Sequence, residues 1–505
     1  MGAVSRLPFF VTLAGLSALI MFVPAIYAYV LRDYSDMRVF SQVAALLLVL
    51  ITIVALATHN RRPRNLARSH LLTMAGAYVV LPILFAVPFQ ASLQNTTFFN
   101  AYFEMLSCFT TTGATLYEGT ARLGPPLELW RSLVGWIGGF FIWITAAAIF
   151  FPLNLGGFEV TAKSVPGRGI GADVRPADGV ETSERLVGIT RTLLPVYTGL
   201  TLVLWICLIV AGDPALIAFA HAAATMSTSG ISPIGGVTGS PSGVTGEILV
   251  MLFLVFAFSR RTFSSDIAGV DRRDLLEDPE IRVALFVVFV VSLVLFLRHW
   301  VAVFDTPNAQ YGADRIMAFW GGAFTTVSFL STTGFVSAGW DEARIWSGLE
   351  SPGMILVGLA LMGGGVATTA GGVKLLRVYA LYLHGRRELV RLVYPNLMGI
   401  PGSTTVRIHF QGVTIAWIFF MLFALSIGVT TLAFGLTGLS LEASLLFAIS
   451  ALSTAGPLVP IASEGVYAYA QLDTAGKVIS MVAMVLGRME TLALIALLNV
   501  QFLRS

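Results

Sequence analysis

Apolar stretches of two lengths alternate along this chain. The longer ones, at 7–30, 39–58, 69–89, 130–151 and 186–211 in the first half, hold enough consecutive apolar residues to cross a bilayer as helices. The shorter ones each run into a hydroxyl-rich bend: Thr110-Thr111-Thr112-Gly113, Ser227-Thr228-Ser229-Gly230, Ser331-Thr332-Thr333-Gly334 and Ser453-Thr454-Ala455-Gly456. The four glycines lie 117, 104 and 122 residues apart, and a further apolar stretch follows each bend. The pattern predicts four copies of one unit, made of a span, a short helix, a bend and a return span. The copies run over 69–160, 184–265, 280–385 and 405–505, behind an N-terminal helix pair at 1–68 that carries no bend. Polar residues mark the short-helix starts: Asn95 or Thr96, Asp213 before Pro214, and Ser440.

A glycine after three small residues lets the backbone take φ > 0 and turn several carbonyls to one side. Four such bends around one axis make a ring of oxygens able to replace the water shell of an alkali cation, and short helices pointing their C-termini at the axis favour positive charge there. A single bend of this kind carries little information; four in register carry much more. The expected fold is therefore all-α and integral to the membrane: four membrane-pore-membrane repeats around a central pore, plus two extra N-terminal helices. Counting full spans gives ten.

Composition agrees with a lipid bilayer as the surroundings, since 56% of the 505 residues are hydrophobic, 12% are charged and mean hydropathy is +0.82. A net charge of +3 gives no reason to expect nucleic acid. Cys108 and Cys207 sit in apolar segments and cannot form a metal cage. Basic residues gather at Arg61, Arg62 and Arg64, at Lys163, Arg168 and Arg175, through 260–282, and at Arg386, Arg387 and Arg391, which puts these loops and both termini inside and every bend outside. Trp130, Trp136 and Trp143 are expected to include interface anchors.

Two features interrupt the apolar pattern at membrane depth. The third return segment contains Gly363-Gly364-Gly365, Thr368-Thr369 and Gly371-Gly372, enough glycine to break a helix where only protein or a water-filled cavity tolerates irregular backbone. Close helix packing through small residues is the alternative; a movable strip under the ring is the preferred reading. Arg488, within the last span, is costly there unless it faces a cavity or a partner such as Glu490. Glu104, Glu118, Asp341, Glu342, Glu464 and Asp473 fall on the outer side as solvated charges or a cation-attracting vestibule. His221 is expected to pack or hydrogen bond.

These residues, together with Trp130-Arg131-Ser132, Trp136-Ile137-Gly138-Gly139, Val373-Lys374 and Gly487-Arg488-Met489-Glu490, resemble the TrkH/KtrB/HKT superfamily of potassium transporters, and the N-terminal helix pair resembles its bacterial TrkH branch. The resemblance implies potassium as the transported ion, with no organic cofactor, and a homodimer in the bacterial inner membrane. It implies a filter of backbone oxygens from Thr111, Thr112, Gly113, Thr228, Ser229, Gly230, Thr332, Thr333, Gly334, Thr454, Ala455 and Gly456. It further implies a gate at Gly363–Gly372, a pore charge at Arg488, and a separate cytoplasmic TrkA-type nucleotide-binding subunit docking near Lys163, Arg272 and Arg386. Ala455 and Pro457 depart from the other bends and make the fourth quarter less regular. A cation symporter coupled to protons or sodium is the alternative within transport. A polytopic membrane enzyme would need acids, bases or metal ligands clustered at one depth, where this chain repeats hydroxyls and glycines.

Overall fold

The computed structural model describes residues 9–58, 66–117, 122–147, 182–259, 278–305, 315–349, 351–394 and 410–489, all of them helix, turn or loop. The Lys163 and Arg272 loops, Arg61 to Arg64, Glu118 and Glu490 lie outside these residues. The N-terminal pair consists of α1 (Phe9–Ile20) and α2 (Phe22–Val30), which together make one span, and α3 (Tyr34–Thr58). The repeats begin with α4 (Leu66–Ser92), α7 (Thr182–Val210), α10 (Pro279–Asp305) and α15 (Phe410–Leu436). Their short helices are α5 (Phe98–Phe109), α8 (Ala215–Ser227), α11 (Arg315–Leu330) and α16 (Leu441–Leu452). Their return helices are α6 (Pro125–Thr145), α9 (Gly243–Leu254), α13 (Gly353–Met362) and α18 (Thr474–Met489). Three further helices are α12 (Trp340–Ser347), α14 (Leu375–Val393) and α17 (Leu458–Ala462).

Among the described residues seven helices are long and apolar enough to cross a membrane, three fewer than the ten spans expected. The difference lies in the second, third and fourth return helices: α9 ends at Leu254, α13 ends at Met362, and α18 is described to Met489. Side-chain hydropathy does not reveal where a helix ends at membrane depth, because the residues beyond α13 remain apolar or small.

Each short helix packs against the span before it, and each return helix packs against the short helix of the following repeat: α6 on α8, α9 on α11, α13 on α16, and α18 back on α5. Glycines permit the closest approaches. A Cβ at Gly138 would fall on the Phe109 carbonyl, and one at Gly487 on the Leu452 carbonyl, so the first and fourth return helices each carry a glycine against the last turn of their own short helix. The first repeat fills its interior with rings: Tyr78, Phe85 and Phe141 pack around Phe109, with Phe85 also edge to face against Trp130. Trp130 and Trp143 are buried, so they serve this core and not a membrane interface. Trp130 donates from Nε1 to the Phe85 carbonyl at 3.2 Å.

Helix starts differ by a residue from the pattern-based expectation. Thr97, one residue beyond Thr96, caps α5 by accepting from the Asn100 amide, while Ser440 caps α16 as expected. Asp213 does not cap α8. Its carboxylate reaches over to the second repeat's later loop, accepting from Ser240 Oγ at 2.6 Å and the Ser242 amide at 2.8 Å.

Candidate functional site: four bends in a ring over a glycine loop

All four bends are built alike. Counting back from the glycine, the amide of the residue one before it donates to the carbonyl six before it: Thr112 to Ser107, Ser229 to Ala224, Thr333 to Ser328 and Ala455 to Ser450, at 2.9 to 3.0 Å. The residue two before the glycine is a threonine in every case, and every one is left-handed: Thr111 at φ 54°, Thr228 at 50°, Thr332 at 59° and Thr454 at 51°. A β-branched residue rarely takes that conformation, at a cost of about 1–3 kcal/mol. Four repetitions of the same strain are not an accident of packing. In three bends the hydroxyls on either side of this threonine pair with each other: Thr110 with Thr112 at 2.8 Å, Ser227 with Ser229 at 2.9 Å, and Ser331 with Thr333 at 3.0 Å.

The glycines close the ring. A Cβ at Gly113 would fall on the Ser229 carbonyl oxygen, one at Gly230 on the Thr333 carbonyl oxygen, one at Gly334 on Pro457, and one at Gly456 on Thr112, Gly113 and Ala114. First touches second, second touches third, third touches fourth and fourth touches first, and Pro457 after the fourth bend also lies against Gly230 of the second. The twelve bend residues expected from the sequence are thus brought together around one centre. Gly113, Gly230 and Gly334 take φ of 70°, 64° and 83°. The fourth quarter departs: Gly456 has no positive φ, and its amide donates to the Thr112 carbonyl at 2.6 Å. Ala455 supplies no hydroxyl for Ser453, whose Oγ has no hydrogen-bond partner among the described residues, and the Ala455 carbonyl is taken by Ser450 Oγ at 2.7 Å. Among the described residues Thr111 Oγ1 and Thr454 Oγ1 are buried with no hydrogen bond, leaving two hydroxyl oxygens beside the backbone carbonyls able to coordinate a hard cation.

Beneath the ring, α13 stops at Met362 and α14 begins at Leu375, and residues 363–374 between them form the irregular stretch expected from the glycines. Gly363 and Gly372 are left-handed at φ 72° and 77°, and each would collide with the other's backbone if it carried a Cβ. The loop touches the third and fourth bends and the last turn of α8. Thr369 Oγ1 donates to the Met226 carbonyl at 3.3 Å, and the Gly371 amide donates to Thr332 Oγ1 at 2.8 Å. Gly371 also lies against the Ser453 carbonyl and Thr454 Oγ1. From the side, the Gly365 amide donates to the Ala257 carbonyl at 2.9 Å, and Val366 donates to Glu280 Oε1 at 2.7 Å. Gly364 packs on Ala370, and Thr368 Oγ1 donates to the Gly365 carbonyl at 2.7 Å.

Arg488 meets this loop. Its Nη1 donates to the Thr369 carbonyl at 2.6 Å, and its Nε and Nη2 make no hydrogen bond among the described residues. Arg488 is buried, and a cavity beside it is lined by Ile142, Ala146, Thr368 and Gly372. Lys374 Nζ donates to the Ala370 carbonyl, so two cations hold carbonyls of the same short loop.

Several polar residues around the ring escaped the sequence reading. Glu104 is not a vestibule charge: it is fully buried, 2.8 Å from Arg131 Nη2, and accepts the Leu116 amide at 3.0 Å. Arg131 also meets Glu128 at 2.9 Å and Thr115 Oγ1 at 3.1 Å. Glu104 stands nine residues before Gly113. Nine before Gly230 stands His221, whose Nε2 is 2.9 Å from Ser232 Oγ, and nine before Gly334 stands Thr325, which accepts the Ser337 amide at 3.4 Å. One register position therefore ties the segment leaving the bend in three repeats, through three different side chains. That equivalence was present in the spacing, but the unlike residue types hid it. Asp341, Glu464 and Asp473 are exposed as expected, with Arg344 3.2 Å from Glu464.

Residues 37–502 match the family model described as TrkH, cation transport protein. The Trk system potassium uptake protein TrkH of Salmonella typhimurium is 28% identical over 491 residues, covering 96% of each chain. The same-named protein of Escherichia coli K12 is 27% identical over 487 residues, again 96% of each. TrkG of Escherichia coli K12 is 25% identical over 434 residues, or 85% of this chain and 84% of that one. The crystal structure of the potassium transporter TrkH from Vibrio parahaemolyticus has the same fold, with a TM-score of 0.82 at 24% identity over 99% of both chains.

Proposed function

The chain belongs to the TrkH family of cation transport proteins, transporters and not enzymes, and from that premise we propose that it takes up potassium through the ring of four bends. In this reading the cation sheds water onto backbone carbonyls of residues 111–113, 228–230, 332–334 and 454–456, aided by the threonine hydroxyls. The C-termini of α5, α8, α11 and α16 lead directly into these bends, so their partial negative charges add to the attraction. The observation that carries the proposal is the closed order of glycine contacts, first bend to second to third to fourth to first. Irregular quarters such as the fourth do not prevent coordination, because a ring of this size needs oxygens from several sides and not strict symmetry.

Residues 363–374 are the gate of this pathway. Their hydrogen bonds to Met226, Thr332 and Arg488 support a closed position directly under the ring. Arg488 adds a fixed positive charge below the ring, lowering cation occupancy there and holding the loop by its Thr369 carbonyl. Opening is controlled by a cytoplasmic TrkA-type nucleotide-binding subunit on a homodimer, with Arg386 on α14, the helix that leaves the gate, available to it. The basic loops support a bacterial inner-membrane location with both termini in the cytoplasm.

The test is growth rescue of potassium-uptake-deficient cells at low potassium, with the cognate regulatory subunit present. Wild type restores growth, Gly113→Ser loses discrimination against sodium because its Cβ lands on the Ser229 carbonyl, and Arg488→Ala leaks. No rescue by membrane-inserted wild type, or unaltered selectivity and flux in both variants, defeats the proposal.

A further inference from the structure

One buried carboxylate has no part in the pathway just described. Glu247, on α9 of the second repeat, is fully buried. It accepts three hydrogen bonds: from Trp320 Nε1 at 2.6 Å, from Ser337 Oγ at 2.7 Å and from the Ala338 amide at 2.7 Å. Both of its oxygens are engaged, Oε2 by Trp320 and Ser337 and Oε1 by the Ala338 amide. Among the described residues no basic side chain forms an ion pair with it. A charge buried with no counter-ion is costly to keep and is held here only by its donors.

The donors belong to the third repeat. Trp320 is in α11, and Ser337 and Ala338 lie three and four residues past Gly334, in the segment leaving the third bend. Glu247 therefore ties the second repeat to the third on the far side of the bend from the contact between Gly230 and the Thr333 carbonyl. Across the ring, Glu104 performs a matching task. It accepts the Leu116 amide, three residues past Gly113, and the order of bend contacts makes the first and third quarters opposite each other. The two differ in charge balance, since Glu104 has Arg131 beside it and Glu247 has neutral donors alone.

We infer that Glu247 is a specificity-determining positioning residue, fixing where the third bend stands against the second and hence how closely the ring fits its cation. The inference rests on the potassium reading above. It acts through Ser337 and Ala338, with no contact to the ion.

The test uses the full-length protein in proteoliposomes, with rubidium uptake measured against competing sodium. Wild type sets the frame: no selective uptake by wild type removes the potassium reading itself, whatever the variants do. With wild type selective, Glu247→Gln, whose amide nitrogen cannot accept, lowers rubidium-over-sodium discrimination roughly tenfold, with a larger change in apparent rubidium affinity than in maximal rate. Trp320→Phe removes only the donor on the helix body, so it lowers the melting temperature and leaves discrimination unaltered. Wild-type discrimination in Glu247→Gln overturns the inference, as does an equal loss in both variants, which marks general loosening. Should Glu247→Gln not insert, Ser337→Ala decides, since it keeps the carboxylate and cuts one tie to the exit segment. Reduced discrimination sustains the inference, and an unchanged ratio overturns it.

Discussion

At the scale of single residues, the account turns on positions where no side chain, or only one kind, fits. Gly371 lies against the Ser453 carbonyl and Thr454 Oγ1 with no room for a methyl group. Gly371→Ala is expected to push the loop away from the fourth bend at a cost of about 1–3 kcal/mol to the closed state, a shift of roughly 5- to 150-fold toward open. Basal rubidium uptake without the regulatory subunit measures it, and uptake at or below the wild-type level contradicts the assignment of this contact to closure. Asp213 offers a different kind of check. Burial opposes its charge, but the His221 ring 3.9 Å away and the hydrogen bonds from Ser240 and Ser242 outweigh that and hold the carboxyl at about 2, below the ordinary 3.8. A lowered carboxylate pKa contributes stability that is complete above about pH 4 and disappears as pH falls through the folded value. The melting-temperature gap between wild type and Asp213→Asn should therefore be present at neutral pH and narrow below pH 4; a gap that widens with acid contradicts the hydrogen-bonded carboxylate.

At the scale of elements, the short helices of the first and fourth repeats are each held at the last turn by a glycine on the return helix. Gly487 sits one residue before Arg488 and packs on the Leu452 carbonyl. Gly487→Ala should separate α16 from α18 at a cost of about 1–3 kcal/mol, lowering the melting temperature by several degrees and displacing Arg488 from Thr369. Thermal unfolding in detergent checks the first effect and basal leak the second. Elements were also the scale at which the sequence was easiest to read. The four bends announced themselves because hydroxyls and a glycine recur beside apolar stretches, and the break between α13 and α14 because glycines crowd an otherwise apolar run. The ends of α9 and α13 were hidden, since apolar residues past a helix end look like those within it. The bracing side chains were hidden for another reason: Glu104 and Arg131 are 27 residues apart, Glu247 and Ala338 are 91, and nothing local pairs them. The left-handed threonines were not foreseen either, as threonine is a poor candidate for that backbone and only a closed ring makes it worth the strain.

At the scale of the whole molecule, four chain segments that are each unremarkable become one site because every return helix leans on the next repeat's short helix. The ring has no element of its own; it exists only when all four quarters are assembled, with the loop of the third repeat and the arginine of the fourth filling the space below. A cation at the centre should therefore be shared by all four repeats. Anomalous diffraction from crystals of the full-length protein soaked in rubidium, with a sodium-soaked crystal as control, tests this most directly. The account predicts a rubidium peak enclosed by the carbonyls of residues 111–113, 228–230, 332–334 and 454–456. Rubidium bound elsewhere, with none inside the ring at saturating concentration, would contradict it.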